Sequence, residues 1–313
     1  MLVDDVLSGK KNSKIGFGSA AISGEEGGYG FGPMTDKDAQ YLMELSLQAG
    51  IQVFDTAPIY GFGASEERIG SFLKGQREDV CVLAKGGVGW HGTKRVNMSN
   101  SPEHIDEMLH ASLRRLGSTY IDIYMIHWPD SKVDIRSALE PVVKAKDADK
   151  VLKIGLCNTN FSDFNKASEL CEISCLSGEW NAFQSNIEVD QLSSEQGLIN
   201  FSWGTFDKGI LTGNAYRNRK YDPTDARSWA PWWKKQPKDR KFSLVEKMLK
   251  FANNDKDRIR SFFLQLAQEN AKRLPLVGYR SAEQLSDLLK TQSSPDLELL
   301  KHWTHLKEDF LNV

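Results

Sequence analysis

Four polar residues stand at or just after the ends of three consecutive apolar segments, and their types suit acid–base chemistry. They are Asp55, Tyr60, Lys85 and His127. A buried aspartate needs a partner, so a structural ion pair would explain Asp55 and Lys85 equally well, and His127 alone could be a core histidine. Four such groups at the ends of consecutive strands favour a functional site instead.

These four side chains suit the protonation of a carbonyl oxygen. A tyrosine has a reference pKa of about 10, and a nearby lysine ammonium lowers that pKa by favouring the phenolate. We therefore expect Tyr60 to donate the proton, Lys85 to tune its pKa and Asp55 to hold Lys85 in place. A neutral His127 would hydrogen-bond the carbonyl oxygen. Because no good nucleophile accompanies them, the natural second reactant is a hydride from a nicotinamide cofactor.

The segments that must position these residues alternate with amphipathic helices. We predict eight strands, at Ile15–Ala20, Gln52–Asp55, Val80–Lys85, Ile121–His127, Lys153–Cys157, Ala182–Asn186, Ile199–Trp203 and Leu274–Val277. Several are apolar on both faces, which indicates a parallel sheet covered by helices. Eight strand–helix units predict a (β/α)₈ TIM barrel. The alternative is an open doubly wound sheet, which would carry a glycine-rich fingerprint after its first strand. The glycines between residues 24 and 30 form none, and we interpret them as a mobile loop at the barrel mouth.

Capping residues predict where several helices begin. Thr35 and Ser101 precede helices that we expect to end at Ala49 and Leu116, and Ser162 and Ser281 begin helices that we expect to end at Leu170 and Leu289. An extra C-terminal helix is expected at Leu297–Phe310. Between the seventh and eighth strands, residues 213–242 form an irregular insertion that contains Trp229, Trp232 and Trp233. It is either a lid over the site or a loop fixed by a small hydrophobic cluster.

Composition argues against several classes of protein. The 313 residues carry a net charge of −2, which gives no reason to expect nucleic acid or an anionic membrane as a partner. No apolar run approaches the roughly 20 residues that span a bilayer, and the acidic N-terminus lacks the features of a secretory signal. We therefore expect a cytoplasmic protein. The four cysteines form no CxxC pair, so we expect reduced thiols and no metal, with Cys171 and Cys175 as a metal half-site being the alternative.

Several motifs occur in an order and spacing that resemble the aldo-keto reductase family. They are FDTAPIYG, SEERIG, VLAKGG, IDIYMIHWPD, KIGLCNTN and QSN, and the resemblance extends from about Ile15 to Leu289. It implies a (β/α)₈ barrel, here as a single domain over residues 1–313, and it assigns the catalytic tetrad to the four residues above. It also implies an NAD(P)H-dependent oxidoreductase that reduces an aldehyde or ketone, with sugars among the candidate substrates and Tyr60 as the proton donor.

The same resemblance implies a set of cofactor contacts and favours NADPH over NADH. The contacts are Asn158, Gln184, Trp203, Gly204, Thr205, Phe206, Lys208, Gly209, Gly278, Arg280, Ser281, Gln284 and Asp287. Asn158 and Gln184 correspond to residues that hold the nicotinamide carboxamide, and Trp203 to the aromatic residue under the nicotinamide. Arg280 lies at the start of a helix, where a guanidinium can pair with a 2′-phosphate.

Some positions depart from the family pattern. Cys157 replaces a serine that holds the carboxamide, and residues 204–206 replace the usual Ser-Pro-Leu of the pyrophosphate loop. Trp203, where most members have tyrosine, resembles the potassium-channel β subunits. A cofactor-binding partner protein of that kind is therefore a second candidate class, and a degenerate scaffold is a third. The intact tetrad favours an enzyme, which we expect to be a monomer acting on a small carbonyl or alcohol substrate.

Overall fold

The computed structural model describes residues 1–9, 14–25, 27–93, 95–235, 238–290 and 295–311. Its centre is a closed barrel of eight parallel strands. In chain order these are β1 Gly16–Gly18, β2 Val53–Asp55, β3 Cys81–Gly86, β6 Ile121–Ile126, β7 Val151–Cys157, β8 Cys175–Ser177, β11 Ile199–Ser202 and β12 Arg273–Val277. Each strand pairs with the next in this order, and β12 pairs with β1. The closed ring confirms the predicted (β/α)₈ barrel and excludes the open doubly wound sheet.

Two short antiparallel hairpins lie outside the ring. They are β4 Val88–Trp90 with β5 Val96–Met98, and β9 Trp180–Asn181 with β10 Gln184–Ser185.

Helices cover the outside of the barrel. The ring consists of α2 Asp36–Gln48, α3 Ala64–Phe72, α4 Pro102–Leu116, α5 Ile135–Asp147, α6 Phe161–Leu170, α7 Ile187–Gln196, α11 Lys256–Gln268 and α12 Ala282–Leu289. The additional helices are α1 Leu2–Leu7, α8 Ala226–Trp229, α9 Pro231–Lys234, α10 Lys238–Phe251 and α13 Leu297–Leu311. The last of these confirms the predicted C-terminal helix. Within the described part of the chain, no helix is both long and apolar enough to cross a membrane.

Side-chain caps fix where several helices begin. Thr35, Ser101 and Ser281 each accept a hydrogen bond from the backbone N–H three residues later, as predicted. The helix predicted to begin at Ser162 begins one residue earlier. Asn160 caps it by accepting the backbone N–H of Asp163 at 2.9 Å, and an asparagine oxygen serves this purpose as well as a hydroxyl does.

The interior of the barrel is apolar, and α1 closes one end of it. Val3 and Val6 of α1 belong to one buried cluster with side chains from β2, β3, β6, β7, β8, β11 and β12. The Asp4 carboxylate lies 2.9 Å from the ammonium of Lys153, near the start of β7. This end is therefore the amino end of the strands. The sequence analysis did not predict α1.

Three of the four cysteines line the inside of the barrel. Cys81, Cys157 and Cys175 are buried in the interior cluster, whereas Cys171, just after α6, is half-buried. All four are free thiols, and burial raises the pKa of the Cys157 thiol to about 11.

The predicted sixth strand, Ala182–Asn186, is wrong. The barrel strand is Cys175–Ser177, which pairs with β7 so that Cys175 lies opposite Gly155. A Cβ atom on Gly155 would lie 2.8 Å from the Cys175 sulfur, so the missing side chain leaves room for the Cys175 side chain inside the barrel. The predicted segment instead contributes to the outer β9–β10 hairpin, where Phe183 packs its ring against the C-terminal helix.

The irregular segment 213–242 lies between β11 and β12, as predicted, and contains α8, α9 and the start of α10. Trp233 is buried in the main core, whereas Trp229 is 44% exposed. Trp232 stacks on Tyr29 of the loop between β1 and α2, with ring centroids 6.0 Å apart. Trp233 therefore holds the insertion against the barrel, and Trp232 holds it against the loop that follows the first strand.

Candidate active site

Two of the four predicted residues form a buried ion pair at the carboxyl end of the barrel. Asp55 is the last residue of β2, and Lys85 lies near the end of the adjacent β3. The Lys85 ammonium donates to the Asp55 carboxylate and, at 3.1 Å, to the carbonyl oxygen of Thr56. Only 2% of Lys85 and 4% of Asp55 is exposed. Two charges removed from water to this extent require mutual neutralisation.

Tyr60 and His127 lie beside this ion pair. The Lys85 Nζ atom is 5.4 Å from the centroid of the Tyr60 ring. The His127 ring meets the Tyr60 ring edge-on, at a centroid distance of 6.3 Å. His127 directly follows β6, and its backbone N–H donates to the carbonyl oxygen of Gly86 at 2.8 Å. The structure thus brings together the four residues singled out from the sequence.

Burial and the Lys85 charge act in opposite directions on Tyr60. Burial raises the pKa of the phenol, the Lys85 ammonium lowers it, and the resulting pKa lies above its ordinary value. Lys85 lowers the pKa of Tyr60, as the sequence analysis expected, but the lost solvation of the phenolate outweighs the attraction of the ammonium. Tyr60 is therefore protonated at neutral pH.

The other three groups keep the charge states that their contacts favour. Burial lowers the pKa of Lys85, but the charges of Asp55 and Tyr60 outweigh it, and the net shift is upward. Burial raises the pKa of Asp55, and Lys85 opposes that shift. Burial and the Lys85 charge together hold the pKa of His127 well below its ordinary range, so the imidazole is neutral. Its Nδ1 atom has no hydrogen-bond partner among the described residues.

A glycine-rich turn presents Tyr60. Gly61, Phe62 and Gly63 have φ angles of 65°, 51° and 100°, and these reverse the chain before α3. Gly28, in the loop between β1 and α2, forms a β-bridge with Tyr60. A Cβ atom on Gly28 would clash with a backbone oxygen of the Tyr60 turn, so this close approach requires glycine. The glycine-rich segment predicted to lie at the barrel mouth does so.

Trp203, Asn158 and His127 are linked by hydrogen bonds across the mouth. The indole N–H of Trp203 donates to Asn158 Oδ1 at 3.2 Å, and the Asn158 amide donates to the carbonyl oxygen of His127 at 3.0 Å. Asn158 has a φ of 54°, a left-handed conformation that asparagine tolerates better than most residues. Held by its edge, the Trp203 indole can offer a face to a flat ring.

The loop after β11 has features of an anion site. It contains the predicted contacts Gly204, Thr205, Phe206, Lys208 and Gly209. The φ angles from Asp207 to Gly209 are 41°, 56° and 101°. The Lys208 ammonium lies 2.7 Å from the carboxylate of Glu179. Burial lowers the pKa of Lys208, but Glu179 and Asp207 outweigh it and raise the net value. In barrels of this architecture, the loops after the seventh and eighth strands frequently bind phosphate.

Arg280 already has partners within the protein. Its guanidinium donates to the carbonyl oxygens of Ala21 at 2.8 Å, of Gly32 at 3.3 Å and of Pro33. All three lie in the segment between β1 and α2. Arg280 therefore ties the region after the eighth barrel strand to the loop after the first.

The remaining predicted contacts around α12 have mixed surroundings. Gly278 directly follows β12, and Ser281 caps α12. The Gln284 side chain accepts the backbone N–H of Arg280 at 2.8 Å. The Asp287 carboxylate lies 2.9 Å from Arg260 and 3.0 Å from Lys290, so it neutralises cations of the protein.

Gln184 does not lie at the end of a barrel strand. It is exposed on the outer β9–β10 hairpin. Its predicted place at the mouth was wrong because the sixth strand was predicted in the wrong segment. The residue that ends the true strand is Ser177. Its carbonyl oxygen accepts the backbone N–H of Asn158 at 2.7 Å, and its hydroxyl donates to the carbonyl oxygen of Phe201 at 2.7 Å. Sequence reasoning missed Ser177, although the short apolar run that starts at Ile173 points to it.

With this geometry described, the comparisons with known proteins identify the family. The sequence profile of the aldo/keto reductase family matches residues 14–296. The chain belongs to the aldo/keto reductase family. It is 31% identical over 242 residues to the NADH-specific methylglyoxal reductase of Escherichia coli, covering 72% of each chain. It is 29% identical over 249 residues to aldo-keto reductase YhdN of Bacillus subtilis, covering 78% of this chain and 74% of that relative.

A solved structure shows the same fold. The glycerol dehydrogenase of Gluconobacter oxydans superposes with a TM-score of 0.77 at 24% identity, covering 94% of this chain and 90% of the other. Membership of the family makes this protein an NAD(P)H-dependent carbonyl oxidoreductase. The residues at the mouth fit such a cofactor, because the Trp203 indole can stack on a nicotinamide and the charged Lys208 suits a diphosphate.

Proposed function

We propose that the protein is an NADPH-dependent reductase that converts an aldehyde or ketone to its alcohol, with Tyr60 as the proton donor. The observation that carries this proposal is the buried Lys85–Asp55 ion pair beside a protonated Tyr60 and a neutral His127. Such a set of groups favours proton donation to an oxygen on which negative charge develops.

Each of the four residues has one task in this mechanism. His127 donates a hydrogen bond to the carbonyl oxygen and holds it beside Tyr60. Tyr60 gives its phenolic proton to that oxygen as the alkoxide forms. Lys85 stabilises the phenolate left on Tyr60, and Asp55 keeps Lys85 charged and in place. The bound reduced nicotinamide supplies the hydride.

The cofactor contacts in the proposal follow the order of the loops around the mouth. Trp203 and Asn158 position the nicotinamide, and the loop with Lys208 binds the diphosphate. Beyond β12, Gly278, Ser281, Gln284 and Asp287 shape the adenosine site. Gln184 is left out because of its place on the outer hairpin, and Ser177 takes its position at the end of β8.

The choice of NADPH depends on Arg280. It lies at the amino end of α12, where free N–H groups and the helix dipole favour a phosphate. Its bonds to carbonyl oxygens of the β1–α2 loop use at most three of the five guanidinium N–H donors, so donors remain for a 2′-phosphate. NADH is the competing choice, and the E. coli relative is named as NADH-specific.

Substrate class and setting complete the proposal. Methylglyoxal, named for the E. coli relative, and small sugars are the first candidates. We place the protein in the cytoplasm as a monomer. The alternative of a partner protein without turnover is not favoured, because the relatives matched over most of the chain are enzymes.

A steady-state assay tests the proposal directly. Purified protein is incubated with NADPH or NADH and a panel of carbonyl compounds that begins with methylglyoxal and small sugars. We expect cofactor oxidation that depends on the carbonyl and is faster with NADPH. Calorimetric titration of both cofactors accompanies the assay. Cofactor binding without turnover on any carbonyl would favour the partner-protein alternative instead.

A further inference from the structure

An acidic residue occupies the loop in which the proposal places the cofactor diphosphate. Asp207 is fully buried, and both it and the following Lys208 adopt left-handed conformations. Two consecutive non-glycine residues persist in this conformation only where the surrounding structure holds them. A buried carboxylate in an anion site also repels its ligand unless a cation neutralises it.

The cation is Lys241, which comes from the insertion. Its ammonium lies 2.6 Å from Asp207 Oδ2, and only 4% of the residue is exposed. Lys241 belongs to α10, far along the chain from the loop that it contacts. Its Nζ atom also lies 5.2 Å from the centroid of the Phe183 ring. The Phe183 ring therefore helps to hold the Lys241 ammonium beside the Asp207 carboxylate.

Lys208 stands on the other side of the same carboxylate. Its ammonium lies 3.3 Å from Asp207 Oδ1 and 2.7 Å from Glu179 Oε1. Two carboxylates and two ammonium groups thus alternate in one chain of ion pairs, in the order Glu179, Lys208, Asp207 and Lys241. Lys208 already contacts both carboxylates, and without Lys241 it would have to balance both of their charges alone.

We infer that Lys241 is a positioning residue for cofactor binding: by neutralising Asp207 it leaves Lys208 available to the diphosphate of the dinucleotide. This inference rests on the proposed function. It gives the insertion a role in ligand binding that needs no contact between α10 and the ligand. One lysine neutralises the buried carboxylate, and the other remains to pair with the anionic ligand.

Calorimetric titration of NADPH against the full chain tests the inference, since it reports affinity and stoichiometry separately. Lys241→Met is expected to raise the NADPH Kd by ~10-fold or more, with a stoichiometry of about one and kcat at saturating cofactor within about threefold of wild type. The double variant Asp207→Asn/Lys241→Met removes both charges and is expected to return Kd to within about threefold of wild type. Lys247→Met, on the exposed face of the same helix, is the matched control.

The outcomes separate the two proposals. A Kd for Lys241→Met within about threefold of wild type, or a double variant as weak as the single one, overturns the role of Lys241. Should Lys241→Met not fold, Asp207→Asn alone decides: we expect an NADPH Kd equal to or below that of wild type, and a rise of more than about threefold overturns the inference. A wild-type protein that binds neither NADPH nor NADH would overturn the proposed function, and this inference with it.

Discussion

The proposed reaction depends on the hydroxyl group of Tyr60. We expect Tyr60→Phe to lower kcat for carbonyl reduction by about 10²–10⁴-fold, because the proton donor is lost while the ring is retained. NADPH affinity measured by calorimetry should stay near that of wild type. Tyr41→Phe is the matched control, since Tyr41 is 52% exposed on α2. Activity of Tyr60→Phe within about threefold of wild type would remove Tyr60 from the acid role.

Lys85 has two effects on its neighbours, and the first is on Tyr60. The Lys85 charge opposes the upward shift that burial imposes on the Tyr60 pKa, so Lys85→Met should raise that pKa further. We expect slower reduction at neutral pH, and an alkaline decline of the reduction rate that moves to higher pH. Oxidation of the alcohol, which needs the phenolate, should lose more activity than reduction. Profiles of rate against pH, compared with those of the exposed-site variant Lys74→Met, measure both effects. Unchanged profiles would contradict the pairing.

The second effect of Lys85 is on the stability of the fold. Lys85→Met leaves the Asp55 carboxylate buried and unpaired, which typically costs about 3–5 kcal/mol. Burial already raises the pKa of Asp55, and without Lys85 that pKa rises further above the unfolded value of about 3.9. The folded variant then binds more protons than the unfolded chain, so its stability falls as pH rises above about 4. Urea unfolding at several pH values tests this, and a deficit independent of pH would show that Asp55 is not responsible.

At the scale of elements, Arg280 joins the start of α12 to the loop between β1 and α2. Substitution of Arg280 tests whether it also selects the cofactor. We expect Arg280→Ala to weaken NADPH by about 1.5–3 kcal/mol, as for a charged hydrogen bond, and to weaken NADH much less. Binding of NADPH should also become less sensitive to salt. Titration of both cofactors against wild type, Arg280→Ala and the exposed control Arg114→Ala decides the matter. Equal losses for the two cofactors would mean that Arg280 acts by holding the loop, and would leave the choice between NADPH and NADH open.

The elements that the sequence predicts well are those with long apolar strands. Asp55, Lys85 and His127 could be placed because each follows a run of buried residues, and the ends of parallel strands meet at one mouth. The sixth strand failed because Ser174 and Ser177 interrupt the apolar run around Cys175–Ser177, whereas Ala182–Asn186 contains the QSN that resembles a family motif. Gln184 was misplaced with it. The carbonyl partners of Arg280 and the contact between Asp207 and Lys241 depend on how distant loops fold together, which no local pattern records.

At the scale of the whole molecule, the position of α1 should allow the stability of the barrel to be changed without changing the activity. Val3 fills the amino end of the barrel and is fully buried, whereas the proposed catalytic residues lie at the carboxyl end. We expect Val3→Ala to lower the free energy of unfolding by about 1.5–3 kcal/mol, because buried apolar surface is lost. Because the site lies at the other end, kcat should remain near that of wild type. Denaturant unfolding and steady-state assays, with the exposed Ser8→Ala as control, test this. A large change in kcat would show that the two ends of the barrel are coupled.

The distribution of the cysteines has a practical consequence for labelling. Cys81, Cys157 and Cys175 are enclosed by the barrel, and Cys171 is the one cysteine of the four that solvent reaches. Burial raises the pKa of Cys171, so mildly alkaline conditions are needed to form the thiolate that reacts with a label. The native chain therefore carries a single attachment point for a maleimide dye or a spin label. Because Cys171 directly follows α6 and lies four residues before the sixth barrel strand, near the amino end of that strand, a probe attached there stands away from the mouth. It can report tumbling and self-association without entering the site.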